Sequence, residues 1–284
     1  MIRLQLSLYK YNDSKGKTHN MLYISSLFNG KDMKAIFDTG AGINMMTKEV
    51  AEKIGARIVS IKGLQFNGFG TGTSGEIAFV DSVKIGDATF HNVPFFIDDF
   101  KTGNEKADKK ISDINFNCII GNQMMMLLGE ICFDFNRMQL VIPSVVSAKP
   151  AFAPNFFYSQ DHQIIMTITD GLSGNAVKAN LDTGSSNTVL TCSYYLNHKD
   201  FFTGKVASDS INVAGLGGAH TNIKVIPTDW SYGIAGKAYK CYSIYAETSQ
   251  VQDKNSYDCL FGLQTMTCHN KMRLNFKDMW IGFE

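Results

Sequence analysis

The chain has 284 residues, of which 44% are hydrophobic and 19% are charged. A chain of this length and apolar content can bury one large core or two smaller ones. Its 27 basic and 26 acidic residues leave a formal net charge of +1, so nothing in the overall charge attracts nucleic acid or an anionic membrane. No window holds the roughly 18 consecutive apolar residues that a membrane-spanning helix needs.

The first ten residues alternate polar and apolar side chains and lack the apolar core of a signal peptide. This alternation predicts a strand. We therefore expect a cytoplasmic protein, or an exported one if Met1 replaces a removed signal.

Period-two apolar patterns separated by glycine-rich turns dominate the chain and predict an all-β fold with a few short helices. The predicted strands are residues 21–28, 77–83, 93–97, 131–135, 164–168, 223–226 and 239–245. Helices are predicted at 47–54, where Thr47 can cap the first turn, and at 123–128. Met124, Met125 and Met126 in the second helix are predicted to pack in a core.

Asp-Thr-Gly occurs twice, at Asp38-Thr39-Gly40 and at Asp182-Thr183-Gly184. The two copies are 182 − 38 = 144 residues apart, about half of the chain. Either copy alone suits an ordinary turn, in which Asp caps and Gly adopts a positive φ. The pair carries more information because the flanking sequence repeats as well.

Three further landmarks recur in the same order in both halves. A glycine-rich stretch at 67–72 corresponds to 214–219, Cys-Ile-Ile-Gly-Asn at 118–122 to Cys-Leu-Phe-Gly-Leu at 259–263, and 133–140 to 274–281. The glycines of the second landmark are 262 − 121 = 141 residues apart, nearly the spacing of the Asp-Thr-Gly copies. The chain is therefore an internal duplication.

These motifs resemble the retropepsin-like aspartic proteases, in which an apolar strand enters Asp-Thr-Gly-Ala and Ile-Ile-Gly-Asn follows a glycine-rich flap. The first half matches with Ile36-Phe37-Asp38-Thr39-Gly40-Ala41 and Ile119-Ile120-Gly121-Asn122. The second half has Ser185 after its Asp-Thr-Gly, as in the pepsin-type version, and Leu263 in place of Asn122.

The resemblance implies two pseudo-twofold-related acid-protease lobes in one polypeptide, a monomer with an internal pseudo-dimer. The lobes would be residues 1–142 and 155–284. The linker at 143–154 contains Pro143, Pro150 and Pro154, three of the five prolines. Segments 2–8, 138–142 and 279–283 are predicted to pair in a sheet that joins the lobes.

Two carboxyls brought face to face cannot both ionise comfortably, so they share a proton, and one acts as acid while the other acts as base. Asp38 and Asp182 are therefore the predicted catalytic residues, and they would activate a water without metal or cofactor. In the family the threonines after each Asp hydrogen-bond across the pair. Thr39 and Thr183 stand there, and Gly40 and Gly184 have no side chain to hold the loops apart.

Ala41 and Ser185 complete the predicted support of the two carboxyls. Ser185 can donate its hydroxyl to Asp182, which predicts that Asp182 is the carboxylate more often and Asp38 holds the proton more often. The alternative is that Ser185 only satisfies a backbone group in the turn.

Two glycine-rich segments resemble flaps that close over an extended peptide. The predicted substrate-binding tips are Gly68, Phe69 and Gly70 in the first lobe and Gly215, Leu216 and Gly217 in the second. Glycine at such places is also common in plain hairpins. Because both halves keep the stretch, we expect two flaps.

Cysteine and histidine spacings predict no metal site, since the six cysteines form neither a Cys-x-x-Cys pair nor a zinc pattern. Cys118 and Cys259 occupy equivalent positions and are predicted to be reduced core thiols, with disulfides as the alternative in an exported protein. His19, His162 and His220 are predicted to lie at the surface.

The predicted function is that of an aspartic endopeptidase acting on extended, partly apolar segments of a peptide or protein substrate. The alternative is a catalytically silent peptide-binding module on the same fold. Retention of both Asp, both Thr and both Gly favours the enzyme. A nucleic-acid role lacks support, because the chain has no phosphate-binding Gly-Lys-Thr/Ser loop.

Overall fold

A computed structural model of the chain describes residues 1–12, 18–63, 75–101, 105, 108–109, 112, 117–215, 218–249 and 257–284. Side chains at 11–12, 18–19, 212–215 and 218–222 are not part of this description.

Among its fully described elements, the first lobe contains strands β1 to β11 and two short helices. The strands are β1 (Ile2–Gln5), β2 (Ser7–Asn12), β3 (Thr18–Phe28), β4 (Lys31–Phe37), β5 (Met45–Met46), β6 (Arg57–Ser60), β7 (Glu76–Ile85), β8 (Ala88–Ile97), β9 (Cys118–Ile120), β10 (Glu130–Asp134) and β11 (Gln139–Ile142). The helices are α1 (Lys48–Ile54) and α2 (Asn122–Met125), and a 3₁₀ turn at Met126–Leu128 continues α2.

The second lobe repeats this series. Its strands are β12 (Phe156–Tyr158), β13 (Ile164–Asp170), β14 (Ala176–Leu181), β15 (Val189–Leu190), β16 (Asp209–Gly215), β17 (Gly218–Ile234), β18 (Lys237–Glu247), β19 (Cys259–Phe261), β20 (Lys271–Asn275) and β21 (Trp280–Phe283). Its helices are α3 (Cys192–Asn197), followed by a 3₁₀ turn at Lys199–Phe202, and α4 (Leu263–Met266).

The two lobes have the same sheet topology. One eight-stranded sheet has the order β2-β3-β4-β9-β5-β8-β7-β6, and the other has the order β12-β13-β14-β19-β15-β18-β17-β16. Strands β2 to β11 of the first lobe thus correspond to β12 to β21 of the second. Among the described strands, β1 alone lacks a counterpart. The predicted mostly β, two-lobed, duplicated fold is confirmed.

A third, five-stranded sheet joins the lobes in the order β1-β11-β10-β20-β21. The predicted segments all belong to it, with two corrections. Segment 2–8 divides at Leu6 between β1 and β2. Moreover, β11 and β21 are not neighbours, because β10 and β20 lie between them and form the strand pairing that connects the lobes. This antiparallel pairing runs from Glu130 opposite Asn275 to Asp134 opposite Lys271.

The central position of β10 explains its sequence, since every residue from Glu130 to Asp134 is buried. A strand covered on both faces reads as a nearly continuous apolar run. Phe133, which is fully buried, packs against Phe37 of β4 with 5.9 Å between ring centroids. The interlobe sheet therefore shares one core with the strands that lead to the Asp-Thr-Gly motifs.

The predicted helices form with small differences in extent. Thr47 caps α1 by accepting a hydrogen bond from the Val50 amide, and Gly55 ends it at φ 71°. Met124 and Met125 are fully buried as predicted, whereas Met126 is 37% exposed because the chain tightens into the 3₁₀ turn there.

All six cysteines are free thiols. Five are buried, including Cys118 and Cys259, and Cys268 is exposed. Among the described residues, no helix is long and apolar enough to cross a membrane.

The outer edge of β21 is occupied by the side chain of Asn155, where a counterpart of β1 would lie. The Asn155 amide nitrogen donates to the carbonyl of Ile281 at 2.9 Å, and its oxygen accepts from the Ile281 N–H at 2.7 Å. The Asn155 N–H donates to the carbonyl of Met279 at 3.0 Å. One side chain thus substitutes for a strand and keeps the edge from pairing with other chains.

Asn155→Ala is expected to lower the free energy of unfolding by about 1–2 kcal/mol, because two hydrogen bonds to Ile281 are lost. In a protein of this size the melting temperature should fall by roughly 3–6 °C, measured by calorimetry. Asn155→Asp keeps the acceptor and loses the donor, so its melting temperature should lie between those of the wild type and Asn155→Ala. An Ala variant that melts like the wild type would contradict this role for Asn155.

Candidate active site

Each Asp-Thr-Gly motif begins where a buried strand ends. Asp38 follows β4 and its N–H donates to the carbonyl of Ile120 in β9 at 3.0 Å, while Asp182 follows β14 and donates to Phe261 in β19 at 3.0 Å. β9 runs parallel to β4, and β19 runs parallel to β14. The two loops therefore leave their sheets in the same way and meet between the lobes.

The structure brings the two predicted carboxyls into direct contact, joined by a hydrogen bond. Asp38 accepts from the Gly40 N–H at 2.8 Å and from the Gly184 N–H of the other lobe at 3.2 Å. Asp182 accepts from the N–H groups of Gly184 at 2.9 Å and Ser185 at 3.0 Å. Backbone donors thus surround a pair that can hold one negative charge.

Burial raises the pKa of Asp38, although the N–H groups around it act in the opposite direction. Burial raises the pKa of Asp182 well above its ordinary value, and the charge of Asp38 raises it further. Two adjacent acids with raised pKa values keep a proton between them at pH values where exposed carboxyls are ionised, and that proton belongs to the pair.

The two threonines form a symmetric set of four hydrogen bonds beneath the carboxyls. The Thr39 N–H donates to Oγ1 of Thr183 and the Thr183 N–H donates to Oγ1 of Thr39, both at 3.0 Å. Oγ1 of Thr39 donates to the Leu181 carbonyl at 2.8 Å, and Oγ1 of Thr183 donates to the Phe37 carbonyl at 2.6 Å. Both threonines are fully buried, so these bonds fix the separation of the loops.

Gly40 and Gly184 lie where no side chain fits. A Cβ on Gly40 would be 2.5 Å from Cγ of Asp182, and a Cβ on Gly184 would be 2.6 Å from Oδ2 of Asp38. The carboxyls approach each other only because both positions are glycine.

The prediction that the Ser185 hydroxyl donates a hydrogen bond to Asp182 is wrong. Oγ of Ser185 donates to the carbonyl of Asn187 at 3.0 Å, and only the Ser185 backbone N–H reaches Asp182. The hydroxyl satisfies a backbone group in the turn, which was the alternative. Ala41, at the equivalent place, lies among apolar neighbours.

The predicted flap tips are largely outside the described residues. Gly68, Phe69, Gly70, Leu216 and Gly217 all belong to that part of the chain.

Around these tips the backbone is hairpin-like in both lobes. β16 and β17 pair up to Gly215 opposite Gly218, and in the first lobe the Ile61 N–H donates to the Gly75 carbonyl at 2.7 Å beyond β6 and β7. Substrate binding by either hairpin stays a prediction.

Of the three histidines discussed above, His162 is exposed, and the side chains of His19 and His220 are not described. The backbone of His162 has a positive φ of 59° in the hairpin between β12 and β13, and its carbonyl accepts a hydrogen bond from the buried Asn122 side chain. Within the described ranges, no cluster of three or more His, Cys, Asp or Glu could hold a metal ion.

Three contacts between the lobes beside the carboxyls were not predicted from the sequence. Oγ of Ser186 donates to the Asn20 carbonyl at 2.8 Å and accepts from the Asn20 N–H at 2.9 Å. On the opposite side of the carboxyl pair, the side chain of Gln163 donates to the Gly40 carbonyl and that of Asn122 donates to the His162 carbonyl. The difference between Asn122 and Leu263 in the repeat was the one available signal, whereas nothing in the sequence pointed to Gln163.

Comparisons with known proteins show one similarity in sequence and one in fold. Residues 24–129 match the family model described as Aspartyl protease, a range that includes Asp38 and lies within the first lobe. The crystal structure of Basic 7S globulin from soybean is similar in fold, with a TM-score of 0.55 and 10% sequence identity over 100% of this chain and 95% of that chain. No curated protein matches the sequence. The family match concerns the first lobe, and the structural similarity concerns the fold of the whole chain.

Proposed function

We propose, taking an aspartic protease family as the premise, that this protein is an endopeptidase whose catalytic dyad is Asp38 and Asp182. The observation that carries the proposal is the direct contact between the buried Asp38 and the partly buried Asp182 between the two lobes, where the Gly184 N–H donates to both carboxyls. The pKa of each carboxyl is raised there. A pair that shares one proton supplies both groups that peptide hydrolysis needs.

In the proposed reaction, the ionised carboxyl removes a proton from a water molecule while the water oxygen attacks the peptide carbonyl carbon. The protonated carboxyl gives its proton to the carbonyl oxygen, which yields a neutral tetrahedral diol. The carboxyl that received the water proton then protonates the amide nitrogen, the C–N bond breaks, and the other carboxyl recovers a proton from the diol. The products are a carboxylic acid and an amine, and the pair returns to its starting state.

The proposed substrate is an extended, partly apolar segment of a peptide or protein. The lobes meet at the carboxyls, and each has a pair of antiparallel strands, β6–β7 or β16–β17, at the edge of its sheet. Strand-like substrate would add backbone hydrogen bonds to such strand pairs, which favours extended over helical segments.

A mixed peptide library in water enriched in ¹⁸O tests the proposal. The expected result is cleavage in which each new carboxyl terminus gains one ¹⁸O, because solvent water is the nucleophile. The double variant Asp38→Asn/Asp182→Asn, close to isosteric with the wild type, is the matched blank. If the wild type binds library peptides between pH 3 and 8 and cleaves none, the protein is a binding module and the proposal fails.

A further inference from the structure

The two carboxyl loops differ in the side chains that hold their backbones. Asn122, which is fully buried, donates from Nδ2 to the carbonyl of Thr39 at 2.8 Å and to the carbonyl of His162 in the other lobe at 3.0 Å. Both partners are acceptors only, so the amide nitrogen must face them. Asn122 therefore ties the loop of Asp38 to the second lobe.

Gln163 holds the next peptide unit of the same loop. Its Nε2 donates to the carbonyl of Gly40 at 3.1 Å from the hairpin between β12 and β13. This hairpin packs closely on the loop, since a Cβ on Gly42 would be 1.7 Å from the carbonyl oxygen of Asp161.

The equivalent positions in the other lobe are both apolar. Asn122 corresponds to Leu263, and in both lobes this residue donates its backbone N–H to the carboxyl loop at 2.8 Å. β3 pairs Tyr23 with Ile36, and β13 pairs Ile165 with Asn180, so Gln163 corresponds to Met21. Neither Leu263 nor Met21 can donate a side-chain hydrogen bond to the loop of Asp182.

The peptide units that receive these bonds are the ones whose N–H groups face Asp38. The unit with the Thr39 carbonyl carries the Gly40 N–H, which lies 2.8 Å from the Asp38 carboxylate. The unit with the Gly40 carbonyl carries the Ala41 N–H, which donates to the Asp38 backbone carbonyl at 3.3 Å and lowers the pKa of the adjacent carboxyl. A hydrogen bond accepted at a peptide carbonyl polarises the unit and strengthens its N–H as a donor. Stronger donors favour the ionised form of the carboxyl they face.

We infer that Asn122 and Gln163 are positioning residues that make Asp38 the ionised member of the pair and leave the shared proton on Asp182. The inference deepens the proposed function and rests on it for its catalytic meaning. Asp38 then takes the proton from water, and Asp182 gives its proton to the substrate carbonyl.

Each carboxyl accepts hydrogen bonds from two backbone N–H groups, Asp38 from Gly40 and Gly184 and Asp182 from Gly184 and Ser185. The difference between the two carboxyls therefore lies in the side chains that hold the Asp38 loop from behind. This assignment is opposite to the one predicted from the sequence, which relied on a hydrogen bond from the Ser185 hydroxyl to Asp182. That hydroxyl donates to the Asn187 carbonyl instead.

Among the described residues, no other titratable group beside the pair accounts for a difference between the two carboxyls. The carboxyls face one another, and the hairpin packed on the Asp38 loop carries Asp161 and His162, whose side chains are both exposed. His162→Gln, which keeps the backbone carbonyl, removes the nearby imidazole and serves as a control.

Single-carboxyl variants test the inference by carbonyl-region ¹³C NMR titration. Each single variant leaves one carboxyl of the pair to titrate. We expect the pKa of Asp38 in Asp182→Asn to be about one unit lower than the pKa of Asp182 in Asp38→Asn. Adding Asn122→Leu, which copies the second lobe, should raise the pKa of Asp38 by about half a unit and leave that of Asp182 in Asp38→Asn unchanged.

The opposite order of the two titrations would overturn the inference, and so would equal shifts of both carboxyls on adding Asn122→Leu. If that variant does not fold, Gln163→Met, which copies Met21 at a partly exposed site, carries the same expectation with a smaller shift. These titrations need no turnover, so they separate this inference from failure of the proposed protease activity. In an active enzyme, Asn122→Leu should also move the acidic limb of the kcat profile upward by about half a unit.

Discussion

Asp182→Asn is expected to reduce peptide cleavage by about 10³-fold or more while raising the melting temperature at neutral pH. The loss of activity follows because asparagine can neither donate an acidic proton nor accept one, so the pair loses one of its two functions. The gain in stability follows because burial disfavours the charge that the wild-type pair must carry.

The stability difference should depend on pH in a definite direction. A carboxyl whose pKa is raised on folding binds a proton more tightly in the folded than in the unfolded protein, so it weakens folding as pH rises above about 4, where the unfolded carboxyl ionises. The effect grows until pH passes the raised folded value and then stays constant. The asparagine side chain introduced by Asp182→Asn does not titrate, so the variant and the wild type should melt alike near pH 3 and diverge as pH rises.

Thermal unfolding of the wild type and Asp182→Asn between pH 3 and 8 measures this difference. Asp38→Asn should lose cleavage to a similar extent. A variant that cleaves at the wild-type rate would contradict the dyad, and a melting difference that is largest at pH 3 would contradict the raised pKa.

Much of the fold could be predicted from the sequence because the determining signals are local or repeated. Alternating strands, the Thr47 cap and the two Asp-Thr-Gly turns are written in adjacent residues. The 141 to 144-residue repeat then relates the two turns by symmetry, which accounts for the contact between Asp38 and Asp182.

The features that the sequence did not predict depend on contacts between distant segments. Gln163 looks like an ordinary polar residue before a strand, and only the packing of its hairpin on Gly40 gives it a role. Ser185 was expected to serve Asp182, but a carbonyl two residues away competes successfully for its hydroxyl. Asn155 replaces a strand that the repeat would otherwise require.

Glu130 was another unpredicted feature, since a glutamate at the start of an apolar strand reads as a solvent-facing end. It is instead fully buried and lies on the ladder between the lobes. Its carboxylate accepts from Nη1 of Arg273 at 2.9 Å, from the N–H of Ser147 at 2.6 Å and from Oγ of Ser147 at 2.7 Å. Asn275 donates a further bond at 3.3 Å. One side chain thus connects β10, β20 and the linker.

Glu130→Ala is expected to lower the free energy of unfolding by about 3–5 kcal/mol, because it leaves the half-buried Arg273 without its main partner and the donors of Ser147 and Asn275 unsatisfied. At roughly 2–4 °C for each kcal/mol, the melting temperature should fall by about 10 °C. Cleavage measured well below the melting point should fall too, because the β10–β20 ladder fixes the position of one lobe against the other.

A double-mutant cycle separates the ion pair from the packing around it. Glu130→Met/Arg273→Met replaces the pair by apolar side chains of similar length and should recover a substantial part of the stability lost in Glu130→Met alone, since no charge is then left buried. Lys48→Met is the matched control, because the Lys48 side chain in its ion pair with Glu76 is 53% exposed and its loss should change stability by less than about 1 kcal/mol. Additive effects of the Glu130 and Arg273 changes would show that the two side chains act independently, and the interlobe role of the pair would then be wrong.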